Sequence, residues 1–207
     1  MDDDTWPKED ALAKLFEADK ELGGNWGFLS STVFWTDGTL CKANKPKKTL
    51  FTFIDEKDLS KNHTKILMGS FVSLLVRSSV VREVGLPIGE YFIWTDDYEF
   101  CGRISRKQSC YFIPSSRVVH AMKSNVKANI ATDDISRMDR YRYLYRNDVH
   151  CYRQFGFMGW LYFILKDIYS LINVLVKSRN MKIEKIKVIF KGFKEGIYYN
   201  PNIKYVK

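Results

Sequence analysis

The segment Ile93-Trp94-Thr95-Asp96-Asp97-Tyr98-Glu99-Phe100 lies near the middle of the chain and combines an aromatic run with three carboxylates. Burying such a cluster is costly unless a cation or a reacting proton compensates for it. The aromatic spacing continues to Ile104 and predicts a helix over residues 95–107. Asp96 and Asp97 are therefore expected at a helix N-terminus, where the helix dipole favours negative charge. Helix capping and acid-base chemistry both remain open as the role of this pair.

Two further polar groups are candidates for the same site. Asp2, Asp3 and Asp4 form an acidic cluster at the start of the sequence, and His120 follows a β-like run. Carboxylate oxygens and neutral imidazole are suitable ligands for Mg²⁺ or Mn²⁺. A solvated terminus and a surface histidine are the alternative interpretations, so neither group alone identifies a metal site.

Composition predicts a globular protein with one sizeable core, since 45% of the 207 residues are hydrophobic. The four cysteines contain no CxxC pair, which argues against a zinc site or a disulfide framework and favours reduced thiols. The chain opens on aspartates rather than on an apolar stretch of signal-peptide type, so we expect no export. Because no strand precedes the acidic cluster, the chain is expected to be the C-terminal part of a longer fold.

Charge is unevenly distributed along the chain. Residues 1–141 contain 20 basic and 20 acidic side chains, whereas residues 142–207 contain 13 and 4, so the net charge of +9 lies in the C-terminal segment. That segment includes the most apolar stretch, residues 155–176, interrupted by Lys166 and Asp167. Either charge would cost a few kcal/mol at the centre of a bilayer. A buried helix and an interfacial helix on an anionic membrane surface are both compatible with this pattern, and the basic tail favours the second.

Local sequence signals predict the remaining elements. A helix is expected to begin at Thr5-Trp6-Pro7 and to end at Gly23-Gly24, with Leu12, Leu15, Phe16 and Leu22 on its apolar face. The other predicted elements are a strand at 27–35 with a turn at 36–38, a central strand at 66–76, a helix at 78–84, short strands at 110–113 and 116–119, and a helix at 139–155.

Four blocks of this sequence, taken in order, resemble the family 2 glycosyltransferases of the GT-A fold, in particular the bacterial rhamnosyl- and galactofuranosyl-transferase branch. They are MDDD at 1–4, SFVSLLVRSSVVREVGLPIGEYFIWTDDYEFCGRI at 70–104, IPSSRVVH at 113–120 and YRYLYRND at 141–148. The resemblance implies an α/β fold, a partial GT-A (Rossmann-like) mixed sheet flanked by helices and followed by C-terminal amphipathic helices. It also implies a catalytic half over residues 1–140 and a helical, basic, membrane-associating region over 141–207.

The resemblance implies an inverting transfer from a nucleotide-diphospho-sugar to a glycan or lipid-linked glycan, with Mn²⁺ or Mg²⁺ as cofactor. Asp2, Asp4 and His120 correspond to the metal-binding positions of the family, and Asp3 to a substrate-binding one. A bound divalent ion stabilises the charge of the departing diphosphate.

The remaining implied roles concern the acceptor. Asp97 corresponds to the general base that deprotonates the acceptor hydroxyl, and Trp94 and Asp96 would line the acceptor pocket. The implied setting is the cytoplasmic, inner face of the cell membrane, with peripheral attachment to an anionic membrane surface. No nucleic acid is expected as a partner, and a homo-oligomer is possible.

One departure from the family pattern affects the expected activity. The β-α-β half that binds the nucleotide in GT-A enzymes has no counterpart in this sequence, so we expect the isolated chain to be inactive or very weak. Two other functional classes stay open: a metal-dependent phosphohydrolase or nuclease, and an inert fragment or membrane-surface scaffold. Confinement of the basic surplus to the tail argues against a nuclease.

Overall fold

The structure of the chain is a computed structural model that describes residues 3–206. It is an α/β protein with a mixed sheet, which confirms the predicted fold class at that level. The strands are β1 (Thr5–Pro7), β2 (Phe28–Phe34), β3 (Thr64–Ile66), β4 (Leu74–Val76) and β5 (Cys110–His120). The sheet order is β1-β5-β2-β4, and β3 also pairs with β5. Only the β2–β5 pair among these described strands is parallel.

Six α-helices accompany the strands in the described part of the chain: α1 (Ala11–Glu21), α2 (Ser78–Val84), α3 (Asp96–Ser105), α4 (Met138–Arg153), α5 (Gly156–Lys177) and α6 (Lys182–Tyr198). Short 3₁₀ turns occur at Glu56–Ser60, Phe71–Ser73, Gly89–Tyr91 and Ile135–Arg137. The chain forms two compact units. The first contains residues 3–86, 100–127 and 204–206, and the second contains residues 87–99 and 128–203.

The core of the first unit forms where β2 and β5 run side by side. Leu29 and Ile113 are buried there, and α1 covers them with a face made of Ala11, Leu15 and Ala18. These three positions recur at helical spacing, as expected for a helix with one buried face. The predicted face was partly wrong, because Leu12 and Phe16 are about half exposed.

Three local predictions were wrong because strand pairing overrode the local sequence signal. Thr5–Pro7 does not start a helix but pairs as β1 with the end of β5. The expected strand at 66–76 is broken after Ile66, and Ser70 caps a 3₁₀ turn that precedes β4. The two expected strands around Pro114 are one eleven-residue strand, β5. Its pairing with β2 shifts register near Pro114, which has no N–H to donate to a ladder.

The second unit consists mainly of the three C-terminal helices. Gly192 and Gly196 lie one turn apart on α6 and face α4. A Cβ atom added at Gly192 would lie 2.7 Å from the carbonyl oxygen of Arg142, and one at Gly196 would lie 2.7 Å from that of Arg146. Real Cβ atoms do not come so close to backbone, so the absence of side chains lets the two helices approach closely. The helices predicted at 139–155 and 155–176 correspond to α4 and α5.

Candidate functional site

The sheet brings two of the predicted metal ligands together in the first unit. Thr5 of β1 pairs with His120 at the end of β5, and the N–H of Ala121 donates to the carbonyl oxygen of Asp4 at 2.9 Å. This register places Asp4 Oδ1 3.1 Å from His120 Nε2. The imidazole is buried, whereas the Asp4 carboxylate is half exposed.

Hydrogen bonds on the other side of the ring fix the tautomer of His120. Its Nδ1 lies 2.9 Å from Asn44 Oδ1, which also accepts from the thiol of Cys41, and Asn44 Nδ2 donates to the hydroxyl of Ser70. Because an amide oxygen can only accept, Nδ1 of His120 carries the proton. Nε2 is then the ring nitrogen that faces the Asp4 carboxylate. A proton on Nε2 or a bound cation would each make this contact favourable.

The geometry of this pair suits a divalent ion. Two neighbouring ligands of an octahedral ion, each about 2.1 Å from the metal, lie about 3 Å apart. The separation between Asp4 Oδ1 and His120 Nε2 is close to that value. Asp2, the third predicted ligand, lies outside the described residues, and Asp3 is exposed in the turn before Asp4. Within residues 3–206 no group of three or more His, Cys, Asp or Glu side chains could hold a metal. The remaining ligands of an ion would therefore have to be water or substrate oxygens.

A basic cavity of about 540 Å³ occurs in the same unit. Two of its lysines, Lys42 and Lys45, flank Asn44 in the chain, and Lys127 lies with its ammonium 4.3 Å from the centre of the Phe53 ring. Its other lining residues are Ile54, Asn125 and Val126. Cationic and aromatic groups together are suited to a ligand with phosphate groups and a flat ring.

The remaining predicted site residues belong to the second unit. Asp96 and Asp97 are half buried in the first turn of α3, and Asp97 Oδ1 lies 2.7 Å from the backbone N of Tyr98. Trp94 packs against Tyr141 of α4, with ring centroids 5.0 Å apart. Trp94 is thus part of the packing between this segment and α4, in addition to any role towards an acceptor.

The backbone before α3 adopts an uncommon conformation. Phe92, Trp94 and Thr95 have φ values of 64°, 63° and 67°, the left-handed region that residues other than glycine seldom occupy. Each such residue costs roughly 1 kcal/mol or more. The surrounding structure must compensate for this cost.

The side chain of Asn147, on α4, supplies much of that compensation. It is fully buried, and its Nδ2 lies 3.0, 3.1 and 3.0 Å from the carbonyl oxygens of Tyr91, Ile93 and Trp94, which share its two N–H donors. Its Oδ1 accepts from the guanidinium of Arg146, with Nη2 at 2.8 Å. The amide therefore holds the segment before α3 in its left-handed conformation. We call this set of bonds the Asn147 latch.

The next residue of α4 extends the same connection. Asp148 is buried, accepts the hydroxyl proton of Thr95 at 2.8 Å and forms an ion pair with Lys166 of α5. Burial alone would lower the pKa of Lys166, but the Asp148 carboxylate outweighs it, so this pKa lies above its usual value. Asn147 and Asp148 belong to the sequence block 141–148, but their sequence context gave them no role. The helix around them is rich in charged side chains, so no local signal distinguished these two residues.

Asp167 is the uncompensated member of this charged group. The side chain is buried on α5, and its Oδ1 has no hydrogen-bond partner among the described residues. Burial, together with repulsion from Asp148, raises its pKa from the usual 3.8 to about 7. The carboxyl group is thus partly protonated at neutral pH.

No model of a known protein family matches this sequence, and no curated protein matches it.

Replacing Asn147 with Asp should destabilise the second unit strongly. A carboxylate of the same shape cannot donate, and its oxygens would repel the carbonyls of Tyr91, Ile93 and Trp94. We expect the free energy of unfolding in urea to fall by about 3 kcal/mol or more. The matched change Asn62→Asp, in an exposed loop, should have little effect. Equal stability of the two variants would contradict the role of the latch.

The raised pKa of Asp167 predicts a pH-dependent stability. In the unfolded chain this carboxyl group ionises near pH 4, whereas in the folded protein it ionises near pH 7. Folding therefore loses stability as pH rises from about 4 to 7, by up to about 4 kcal/mol. Asp167→Asn should match the wild type near pH 4 and exceed its stability at pH 8, measured by urea unfolding. The exposed control Asp139→Asn should show no comparable gain, and a gain independent of pH at Asp167 would contradict this assignment.

Proposed function

We propose that this chain takes part in glycosyl transfer, as the metal- and acceptor-binding part of a family 2 glycosyltransferase with a partial GT-A fold. The reaction would move a sugar from a nucleotide-diphospho-sugar to a hydroxyl group of a polysaccharide or lipid-linked glycan, with inversion. The contact between Asp4 and His120 supports this function most directly. Residues far apart in the sequence meet there with a separation suited to a divalent ion.

The chemistry of the first unit is compatible with a diphosphate donor. Mn²⁺ or Mg²⁺, if bound by Asp4 and His120, would stabilise the charge that develops on the diphosphate. Lys42 and Lys45 add positive charge close in sequence to Asn44, which orients the imidazole.

Asp97 is the general base in this proposal. Base catalysis requires an ionised carboxylate held in a fixed position against the acceptor hydroxyl. The Asn147 latch supplies such rigidity, because it fixes the backbone immediately before α3. Trp94 and Asp96 are proposed to contact the acceptor.

Manganese binding tests the metal site separately from catalysis. We expect Mn²⁺, followed by electron paramagnetic resonance, to bind the chain more tightly when UDP or dTDP is present than when uridine or thymidine is. Asp4→Asn and His120→Gln should each weaken Mn²⁺ binding about tenfold or more. Asp10→Asn, an exposed aspartate before α1, is the matched control, and Asp97→Asn should also leave Mn²⁺ binding unchanged.

Two outcomes would reject this function. Equal Mn²⁺ affinity in Asp4→Asn and Asp10→Asn would remove the metal site. Release of inorganic phosphate from the nucleotide in the presence of Mn²⁺, without sugar transfer, would favour a metal-dependent phosphohydrolase instead.

We further propose that the protein attaches peripherally to an anionic membrane at its cytoplasmic face. Among the described helices, α5 alone is long and apolar enough to cross a bilayer by length and composition. Its exposed side chains are almost all apolar: Phe157, Met158, Trp160, Leu161, Ile164, Leu165, Ile168, Tyr169, Ile172, Leu175 and Val176.

The two charges inside α5 favour an interfacial helix over a spanning one. Asp167 is buried, and Lys166 is bound to Asp148. Both therefore point away from the exposed face, which is apolar over its whole length. Spanning a bilayer would require these charges to enter the hydrocarbon, whereas lying on its surface leaves them in the protein. Exposed lysines of α6, such as Lys187 and Lys191, add attraction to anionic lipid.

Liposome flotation tests this attachment. We expect the wild type to float with vesicles that contain phosphatidylglycerol and to float less in high salt. Leu165→Glu should reduce the floating fraction several-fold, because it places a charge at the centre of the apolar face. Leu12→Glu makes the same change on the exposed surface of α1 and should float like the wild type. Equal flotation of the two variants would argue against contact through α5.

A further inference from the structure

The second unit contains a cavity of about 850 Å³ that the proposed function does not use. It lies between the segment around residue 133 and the connection from α5 to α6. The lining residues are Ala131, Thr132, Asp133, Asp134, Ile135, Lys177, Arg179, Asn180, Met181 and Lys185.

A buried cation forms part of the wall of this cavity. Lys185 is 7% exposed, and its ammonium donates to the carbonyl oxygen of Ala131 at 2.9 Å and to the hydroxyl of Ser178 at 3.4 Å. Both acceptors are neutral. A buried ammonium is normally paired with a carboxylate, because the loss of hydration is costly. Lys185 therefore brings an uncompensated positive charge to the cavity.

The other charged groups of the wall leave the cavity basic. Lys177 and Arg179 are exposed and form no ion pair with a described residue. Asp133 forms an ion pair with Arg137 at 2.9 Å, and it accepts a hydrogen bond from the hydroxyl of Tyr141 at 2.6 Å. The carboxylate of Asp134 accepts the backbone N–H of Ser136 at the start of a 3₁₀ turn. The cavity wall thus carries three cations and two carboxylates. One carboxylate, Asp133, is already paired with an arginine that does not line the cavity.

The backbone adds to this positive field. The seventeen-residue helix α6 begins beside the cavity, and the side chain of Met181 provides no hydrogen bond to cap it. The first N–H groups of a helix and the positive end of its dipole attract anions. Met181 lines the cavity and precedes α6, so this helix begins at the cavity wall, where Glu184 in the first turn offsets part of the positive field.

We propose that this cavity binds a phosphate group, with Lys185 and Arg179 as its principal contacts. The phosphate has two chemical sources: a free phosphate or diphosphate, and the headgroup of a phosphorylated lipid. Exposed apolar side chains of Ile135, Met181 and Ile183 lie on or next to the wall and are compatible with an attached lipid chain. The site uses no residue of the proposed glycosyl-transfer site and stands independently of that function.

Calorimetry with inorganic pyrophosphate in the presence of a metal chelator tests the site without any contribution from Asp4 and His120. We expect binding to the wild-type chain, weakened about tenfold or more by Lys185→Met and by Arg179→Gln. Lys20→Gln removes the same charge from an exposed position on α1 and should bind like the wild type. Arg179 is exposed, so its variant is expected to fold even if Lys185→Met does not.

Vesicles distinguish the two sources of the phosphate. Phosphatidic acid carries a phosphomonoester, and phosphatidylglycerol at equal surface charge carries only a diester. Preference for phosphatidic acid that Arg179→Gln abolishes would assign the site to a lipid headgroup, and pyrophosphate binding without that preference would assign it to a free anion. Absence of both kinds of binding, or binding that neither Lys185→Met nor Arg179→Gln weakens, would overturn the proposal.

Discussion

The amide of Asn147 is the interaction on which the arrangement of the second unit depends. The segment before α3 contains residues in a left-handed conformation that has no stability of its own, and one buried side chain binds three of its carbonyl groups. Only an amide can do this while accepting from Arg146 with its oxygen, since a carboxylate cannot donate and an alkyl group can do neither. The position of Asp96 and Asp97 at the start of α3 follows from this contact.

The charged residues of α5 show how an apolar helix can serve two environments. Lys166 and Asp167 face the interior of their unit, where Asp148 balances the lysine, while the opposite face carries apolar side chains only. The mean hydropathy of the whole helix averages over these two faces and therefore describes neither of them. Asp167 is buried, and its Oδ1 has no hydrogen-bond partner among the described residues. Its pKa is raised to about 7, so the stability of the second unit depends on pH close to neutrality.

The sequence predicted the elements that have strong local signals. It failed where pairing with a strand far away in the sequence determines the structure. The helix α5 and the strand β2 were predicted correctly, because periodicity and β-branched composition are local. Thr5–Pro7 was assigned to a helix because its pairing with His120 lies more than a hundred residues away. The approach of Asp4 to His120 was expected from motifs, and their role with a metal stays a prediction. The contacts of Asn147 could not be predicted, because its partners are backbone carbonyls whose direction depends on positive φ values.

The second unit is discontinuous in sequence, since residues 87–99 join a body formed by residues 128–203. Its central hydrogen bonds connect residues up to 56 positions apart, and the intervening chain contains β5, the longest strand described. Closing so long a loop costs entropy before any contact repays it. A plain helical hairpin such as α4 and α5 needs no such closure. The helices should therefore form early and the left-handed segment late, which makes assembly of this unit slower than its helical content suggests.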